Sequence, residues 1–173
     1  MGAIDFIQTG LAAAAIVWAT AAGATEGSLA TPTGPVVLTV SGDIEVTNVD
    51  GTAQFDLAGL QALDATSFTT ATPWTEGPHT FTGVLLKALV DLLEIEDGTL
   101  SATAINDYAI DIPVAEALED GPIVAYAMDG APMSVRDKGP LWIVYPFDAD
   151  PDYRSELTYS RSIWQLDRIV VTR

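Results

Sequence analysis

Short runs of β-branched and aromatic residues, bounded by Gly, Pro, Asn or Asp, recur along most of the chain. This pattern is typical of β-strands. At least eight strands are predicted, over residues 36–40, 52–56, 67–71, 100–105, 108–112, 122–128, 141–146 and 162–171. The segments 122–128 and 141–146 are apolar at successive positions, which predicts central strands covered on both faces.

One segment, residues 82–98, shows helical periodicity instead. Its apolar face carries Leu85, Leu89, Leu92 and Leu93, and its polar face carries Lys87, Asp91 and Glu94. Shorter helical turns are predicted at 56–63 and 113–120. Many strands with few helices, and no regular alternation of strand and helix, predict an α+β fold: a single compact domain with a mixed β-sheet or partial barrel.

The N-terminal segment resembles an export signal. An apolar run from Leu11 to Ala22 ends in Ala22-Gly23-Ala24, and it is shorter than the roughly 20 residues that span a membrane. We therefore interpret residues 1–24 as a cleaved signal, 25–35 as a linker and 36–173 as a periplasmic or secreted domain. Export signals normally begin with positive charge, whereas residues 1–10 contain Asp5 and no Lys or Arg. An uncleaved anchor and a retained N-terminal helix therefore stay open.

The chain is strongly acidic, with 24 Asp and Glu against 7 Lys and Arg and a net charge of −17. Such a surface repels nucleic acids and anionic membranes, so neither is expected as a partner, and no stable membrane insertion is expected after signal cleavage. Lys87 is the only base before residue 136, and six bases and six acids follow. A bound anion is therefore expected in the C-terminal quarter, unless those bases simply pair with neighbouring acids.

Several kinds of catalytic site are excluded by residue type. The chain has no cysteine, hence no disulfide, zinc thiolate or cysteine nucleophile. The single histidine, His79, is predicted in an exposed loop and cannot form a two-histidine zinc motif. The acidic stretch 148–152 resembles a calcium loop, but Tyr153 stands where that loop needs glycine. No catalytic residue and no metal site are predicted.

Tryptophan is usually a core residue and sometimes a platform for a bound ring. Trp142 and Trp164 fall inside predicted strands and are interpreted as core. Trp74 lies in a segment interrupted by Pro73 and by Gly77-Pro78. For Trp74, core packing and pocket lining are both open.

Four ordered segments resemble the short exported members of the oxidoreductase molybdopterin-binding domain family, which has the sulfite-oxidase fold. They are TTATPWTEGPHTFTGVLLKALVDLLEI, ATAINDYAIDIP, YAMDGAPMSVRDKGPLWIVYP and SIWQLDRIVV. The resemblance covers residues 36–173. It implies a mixed α+β domain that, in full-length relatives, holds a pterin-bound molybdenum with basic residues and a cysteine thiolate.

The sequence departs from that pattern at the metal ligand. The region of the relatives' cysteine offers Thr69, Thr70 and Thr72, and a neutral hydroxyl is a poor replacement for a thiolate. A pterin pyrophosphate also needs several cations, of which the chain before residue 136 has one. We therefore expect no cofactor. Molybdopterin, held by an unusual ligand set, remains the family-based alternative.

The resemblance also places the turn around Arg136 and Lys138 at the rim of the cofactor pocket. Arg136 offers a planar fork of donors and Lys138 a point charge. With Asn106, Tyr108 and Trp74, they form the predicted pocket for a small anion or polar small molecule. In the alternative interpretation, Asp129 or Asp137 holds Arg136 as a brace for the turn. A structural or docking protein without a ligand also stays open, and the sequence identifies no particular protein partner.

Overall fold

The structure, a computed structural model, describes residues 29–173. The predicted export signal and the first residues of the predicted linker lie outside this range. The described strands are β1 (Val36–Gly42), β2 (Ala53–Asp56), β3 (Ala65–Ala71), β4 (Pro78–Leu85), β5 (Thr99–Ala104), β6 (Ala109–Pro113), β7 (Ile123–Met128), β8 (Ala131–Pro132), β9 (Trp142–Val144) and β10 (Leu166–Thr172). The α-helices are α1 (Leu57–Gln61), α2 (Leu86–Leu92) and α3 (Glu156–Arg161).

The strands form two five-stranded sheets. The first has the order β2-β1-β10-β5-β6, in which β1 and β10 are parallel and the other neighbours antiparallel. The second has the order β3-β4-β7-β8, with β9 also paired to β7, and all its pairs are antiparallel. The mixed sheet and the few short helices confirm the predicted α+β class.

The core lies where the two sheets and α2 pack together. Ile123, Val124 and Ile143 are fully buried in β7 and β9, as their continuous apolar runs predicted. Asp56 holds the chain that leads into β1, because its carboxylate accepts hydrogen bonds from the backbone N–H groups of Thr33 and Gly34. No helix between residues 29 and 173 is long and apolar enough to cross a membrane.

The predicted helix over 82–98 was too long. Residues up to Leu85 belong to β4, and the helix α2 begins at Leu86. The reason is strand pairing: β4 lies between β3 and β7, and Gly83 lets β7 approach so closely that an added Cβ would lie 2.2 Å from the Val124 carbonyl oxygen. The predicted turn at 113–120 is only a short 3₁₀ helix, Val114–Glu116.

Candidate functional site

A cleft of about 670 Å³ opens between the loop after β3, the turn from β5 to β6, and α3. Its walls carry four aromatic residues, Trp74, Tyr108, Tyr159 and Trp164. This volume lies within the range of roughly 300 to 1,000 Å³ that is usual for small-molecule sites, which combine apolar walls with a few polar groups.

Three of the four aromatic wall residues, Trp74, Tyr159 and Trp164, form one packed cluster around Trp74. Its ring centroid lies 5.4 Å from that of Trp164 and 5.9 Å from that of Tyr159, with interplanar angles of 69° and 84°. These are the edge-to-face arrangements that aromatic rings prefer. Trp142 is fully buried beneath them, as predicted for a core residue. Trp164 is partly buried, packs against the core as predicted, and also lines the cleft.

Polar contacts on both sides of Trp74 fix its loop. The Trp74 backbone N–H donates to Thr72 Oγ1 at 3.2 Å, and that hydroxyl also bonds Thr75 Oγ1 at 2.8 Å. Further along, His79 Nδ1 lies 2.6 Å from an Asp129 carboxylate oxygen, and His79 Nε2 lies 3.1 Å from the Glu76 carbonyl oxygen. The hydrogen bond from His79 lowers the pKa of Asp129.

The prediction that His79 is an exposed loop residue was wrong. His79 is a partly buried residue of β4, because the strand begins immediately after the Gly77 turn.

Asn106 and Tyr108 lie together in the tight turn between β5 and β6. Asn106 Oδ1 accepts from the Tyr108 backbone N–H at 3.2 Å, and the Ala104 N–H donates to the Tyr108 carbonyl at 2.8 Å. Both residues line the cleft, and Tyr108 is exposed at its mouth. Within residues 29–173, neither the Asn106 amide nitrogen nor the Tyr108 hydroxyl makes a further hydrogen bond, so both can donate to a ligand.

The turn that carries Arg136 and Lys138 is closed by its own backbone. The N–H groups of Asp137 and Gly139 both donate to the Ser134 carbonyl, at 2.9 and 2.7 Å. Gln165 then ties the turn to the chain that follows Trp164: its side chain donates to the Val135 carbonyl at 2.7 Å, and its N–H donates to the Lys138 carbonyl at 3.0 Å.

Lys138 is engaged with two indole rings. Its ammonium nitrogen lies 4.9 Å from the Trp164 ring centroid and 5.7 Å from that of Trp142. Both distances are within the range of cation–π attraction, about 6 Å. Lys138 therefore places a positive charge against a wall of the cleft, although it is not itself a lining residue.

Arg136 is exposed on the same turn and does not line the cleft. Among the described residues, no carboxylate lies within salt-bridge distance of it. The two acids considered as braces have other partners, since Asp129 bonds His79 and Asp137 accepts from the Ser134 hydroxyl at 2.7 Å. The structure thus brings Trp74, Asn106 and Tyr108 to the cleft wall, with Arg136 and Lys138 on the adjoining turn. Their role in ligand binding stays a prediction.

Sequence reasoning missed the contribution of α3, which supplies Glu156, Tyr159 and Ser160 to the cleft. The available signal was Ser155, whose hydroxyl caps the helix by accepting from the Thr158 N–H at 3.2 Å. The sequence prediction left residues 156–161 without an assigned element, between the acidic stretch 148–152 and the strand predicted from residue 162. Glu156 is the one charged residue that lines the described cleft, and it is exposed and without an ion pair among residues 29–173.

Ser162 is an unsatisfied polar residue in the lining of the cleft. The residue is 1% exposed, and its hydroxyl has no hydrogen-bond partner among the described residues, whereas its carbonyl accepts from Trp142 Nε1 at 3.1 Å. A buried hydroxyl left unpaired costs about 1 to 3 kcal/mol.

A second, wider groove of about 1080 Å³ lies beside α2 and the C-terminal residue. Its charged lining is mainly carboxylates, and the two bases there lie close to acids: Lys87 is 2.5 Å from Asp91, and Arg173 is 3.7 Å from Asp97. Although larger, this groove has no aromatic wall among residues 29–173, and both of its bases lie close to acids. The smaller cleft is therefore the stronger candidate.

Comparison with known proteins now defines the class. Residues 44–148 match the family described as oxidoreductase molybdopterin binding domain. The match covers more than half of the chain, and the protein therefore belongs to this family, which confirms the resemblance and the sulfite-oxidase-like α+β fold. A search of curated proteins found no match.

The residues present do not fit a molybdenum pterin held in the manner of full-length relatives. The three threonine hydroxyls in the region of the ligating cysteine already bond within the protein: Thr69 to Thr80, Thr72 to Thr75, and Thr70 as acceptor for the Asp148 N–H. Residues 29–173 contain no group of three or more His, Cys, Asp or Glu suited to a metal ion. The cleft lining also presents a carboxylate rather than a base, which disfavours a pyrophosphate.

Proposed function

We propose that this family member binds a small polar or anionic molecule in the cleft and does so without a molybdenum pterin. The observation that carries the proposal is the combination of four aromatic walls with two polar groups, the Asn106 amide nitrogen and the Tyr108 hydroxyl, that have no hydrogen-bond partner among residues 29–173. Apolar walls supply contact area, and the Asn106 amide and the Tyr108 hydroxyl supply orientation. Lys138 and Arg136 add positive charge at the adjoining turn.

Binding is favoured over catalysis because of the residue types that line the cleft. Among residues 29–173, its lining has no histidine, cysteine or lysine, and this part of the chain does not supply there the usual pairing of a nucleophile with a nearby base. The one histidine of the chain is engaged by Asp129 and Glu76. The alternative of a molybdopterin-dependent oxidoreductase is supported by family membership alone.

The proposal includes export to the periplasm or the extracellular space, since residues 11–24 have the apolar run and the small residues of a cleaved signal. The intact mass of protein recovered from its native host is expected to correspond to a chain that begins near Thr25. Recovery of the uncut chain from the soluble cytoplasmic fraction would contradict this part of the proposal.

Replacement of Arg136 by Ala separates ligand binding from a structural role. The wild-type chain, screened against small anions and pterins, is expected to show a ligand-dependent rise in melting temperature of several degrees, because about 100-fold excess over Kd adds about 2.7 kcal/mol of stability. In Arg136→Ala, we expect that rise to disappear or shrink. The ligand-free melting temperature should stay nearly unchanged, because Arg136 is exposed and unpaired among the described residues.

Arg173→Ala is the matched control, since it removes one surface guanidinium that lies beside the other groove. It should keep the full ligand response. If Arg136→Ala instead lowers the ligand-free melting temperature and keeps the response, Arg136 is a structural brace. If no compound shifts the wild-type protein, the binding proposal fails in favour of a structural or docking role.

A further inference from the structure

We infer that the ligand of this cleft is a zwitterion with a flat apolar body, of the aromatic amino-acid type. The inference rests on the proposed function, because it assigns a chemical class to the ligand of the same cleft. It depends on two features: the aromatic walls, and the separation of unlike charges between α3 and the turn that adjoins the cleft.

The walls favour a ligand with an apolar ring. Trp74, Tyr159 and Trp164 are all partly buried, and each keeps part of its ring in the lining of the cleft. The rings meet edge to face rather than in parallel, so they form a corner and not a slot. An aromatic ring of a ligand can extend this cluster with further edge-to-face contacts, each worth more than its buried area alone.

The charged residues at and beside the cleft favour a ligand that carries one positive and one negative group. Glu156 brings an unpaired carboxylate to the wall formed by α3. At the Trp164 wall, the ammonium of Lys138 lies 4.9 Å from the indole centroid, and Arg136 belongs to the same turn. An ammonium group on the ligand would compensate Glu156, and a carboxylate would compensate the cations of the turn. A purely anionic ligand would leave Glu156 as a repulsive neighbour.

The net charge of the whole protein supports the same choice. A chain with a net charge of −17 repels anions that come within about 8 Å of its surface, the distance beyond which physiological salt screens most of the repulsion. A zwitterion carries no net charge and approaches without that penalty.

Three compounds that share a phenyl ring test the inference by isothermal titration with the full chain: phenylalanine, phenethylamine and hydrocinnamate. Phenylalanine carries both charges, phenethylamine carries only the ammonium group, and hydrocinnamate carries only the carboxylate. We expect phenylalanine to bind at least about fivefold more tightly than either of the others, the ratio expected when a partly exposed ion pair is lost.

Glu156→Gln should weaken the binding of phenylalanine and of phenethylamine about fivefold. The affinity for hydrocinnamate should stay the same or rise slightly. Asp152→Asn is the control, since Asp152 is an exposed acid four residues earlier that does not line the cleft. Asp152→Asn should leave the affinity for all three compounds unchanged.

The outcomes separate the two claims. If hydrocinnamate binds as tightly as phenylalanine and Glu156→Gln has no effect, the ligand is an anion, so the inference falls while the proposed function stands. The same holds if none of the three binds but other small anions stabilise the protein. If nothing in either panel binds, both claims fail.

Discussion

Gly139→Ala is expected to lower the free energy of unfolding by about 3 kcal/mol or more and to abolish the ligand response in the same variant. A Cβ at this position would lie 1.9 Å from the Met133 carbonyl oxygen and 2.5 Å from its carbonyl carbon. Both are backbone atoms, so the contact cannot be relieved by a side-chain rotation. The turn that carries Arg136 and Lys138 must shift, and the hydrogen bond from the Gly139 N–H to the Ser134 carbonyl is then lost.

Urea unfolding gives the stability, and Gly130→Ala provides the comparison. A Cβ at Gly130 meets nothing within 4 Å, although its φ of +78° disfavours alanine. We expect that variant to lose only about 1 kcal/mol, the cost of the left-handed conformation. A Gly139→Ala protein as stable as Gly130→Ala would show that the turn has room that the structure does not show.

Trp142→Ala is expected to cost about 3 to 5 kcal/mol, the usual range for removing a fully buried aromatic side chain. Trp142 lies under the cleft, where its ring contacts those of Trp74, Phe81 and Trp164. Its loss also removes the hydrogen bond to the Ser162 carbonyl and one of the two rings beneath the Lys138 ammonium. Denaturant unfolding measures the stability, and titration of the surviving folded protein measures binding.

Trp164→Ala makes the comparison informative, because Trp164 is only partly buried but lines the cleft directly. It should lose less stability than Trp142→Ala and at least as much ligand affinity. If Trp164→Ala binds ligand like the wild type, the cleft described here is not the binding site.

The strands were largely predictable from the sequence because their signal is local. The runs in β7 and β9 are buried at every position from Ile123 to Tyr126 and from Trp142 to Val144, and such strands need continuous apolar sequence. The helix α2 was predicted but extended too far, because the pairing of β4 with β7 is a long-range contact that outweighs local periodicity. Only the structure shows that Gly83 faces the Val124 carbonyl.

The candidate site was predictable in part. Trp74, Asn106 and Tyr108 were selected from loop composition and family resemblance, and all three line one cleft. The short helix α3 was not predicted, because six residues carry little periodicity. Its cleft residues Glu156 and Tyr159 were therefore not predicted either. The pairing of Asp129 with His79 was equally hidden, because the two residues are 50 positions apart in the chain.

Native mass spectrometry of the protein purified from a molybdopterin-competent host tests the central claim most directly. The account predicts a chain free of molybdenum, with any bound species a small organic molecule that Trp164→Ala releases. About one equivalent of a molybdenum pterin on the wild-type chain would contradict the account and establish the oxidoreductase interpretation instead.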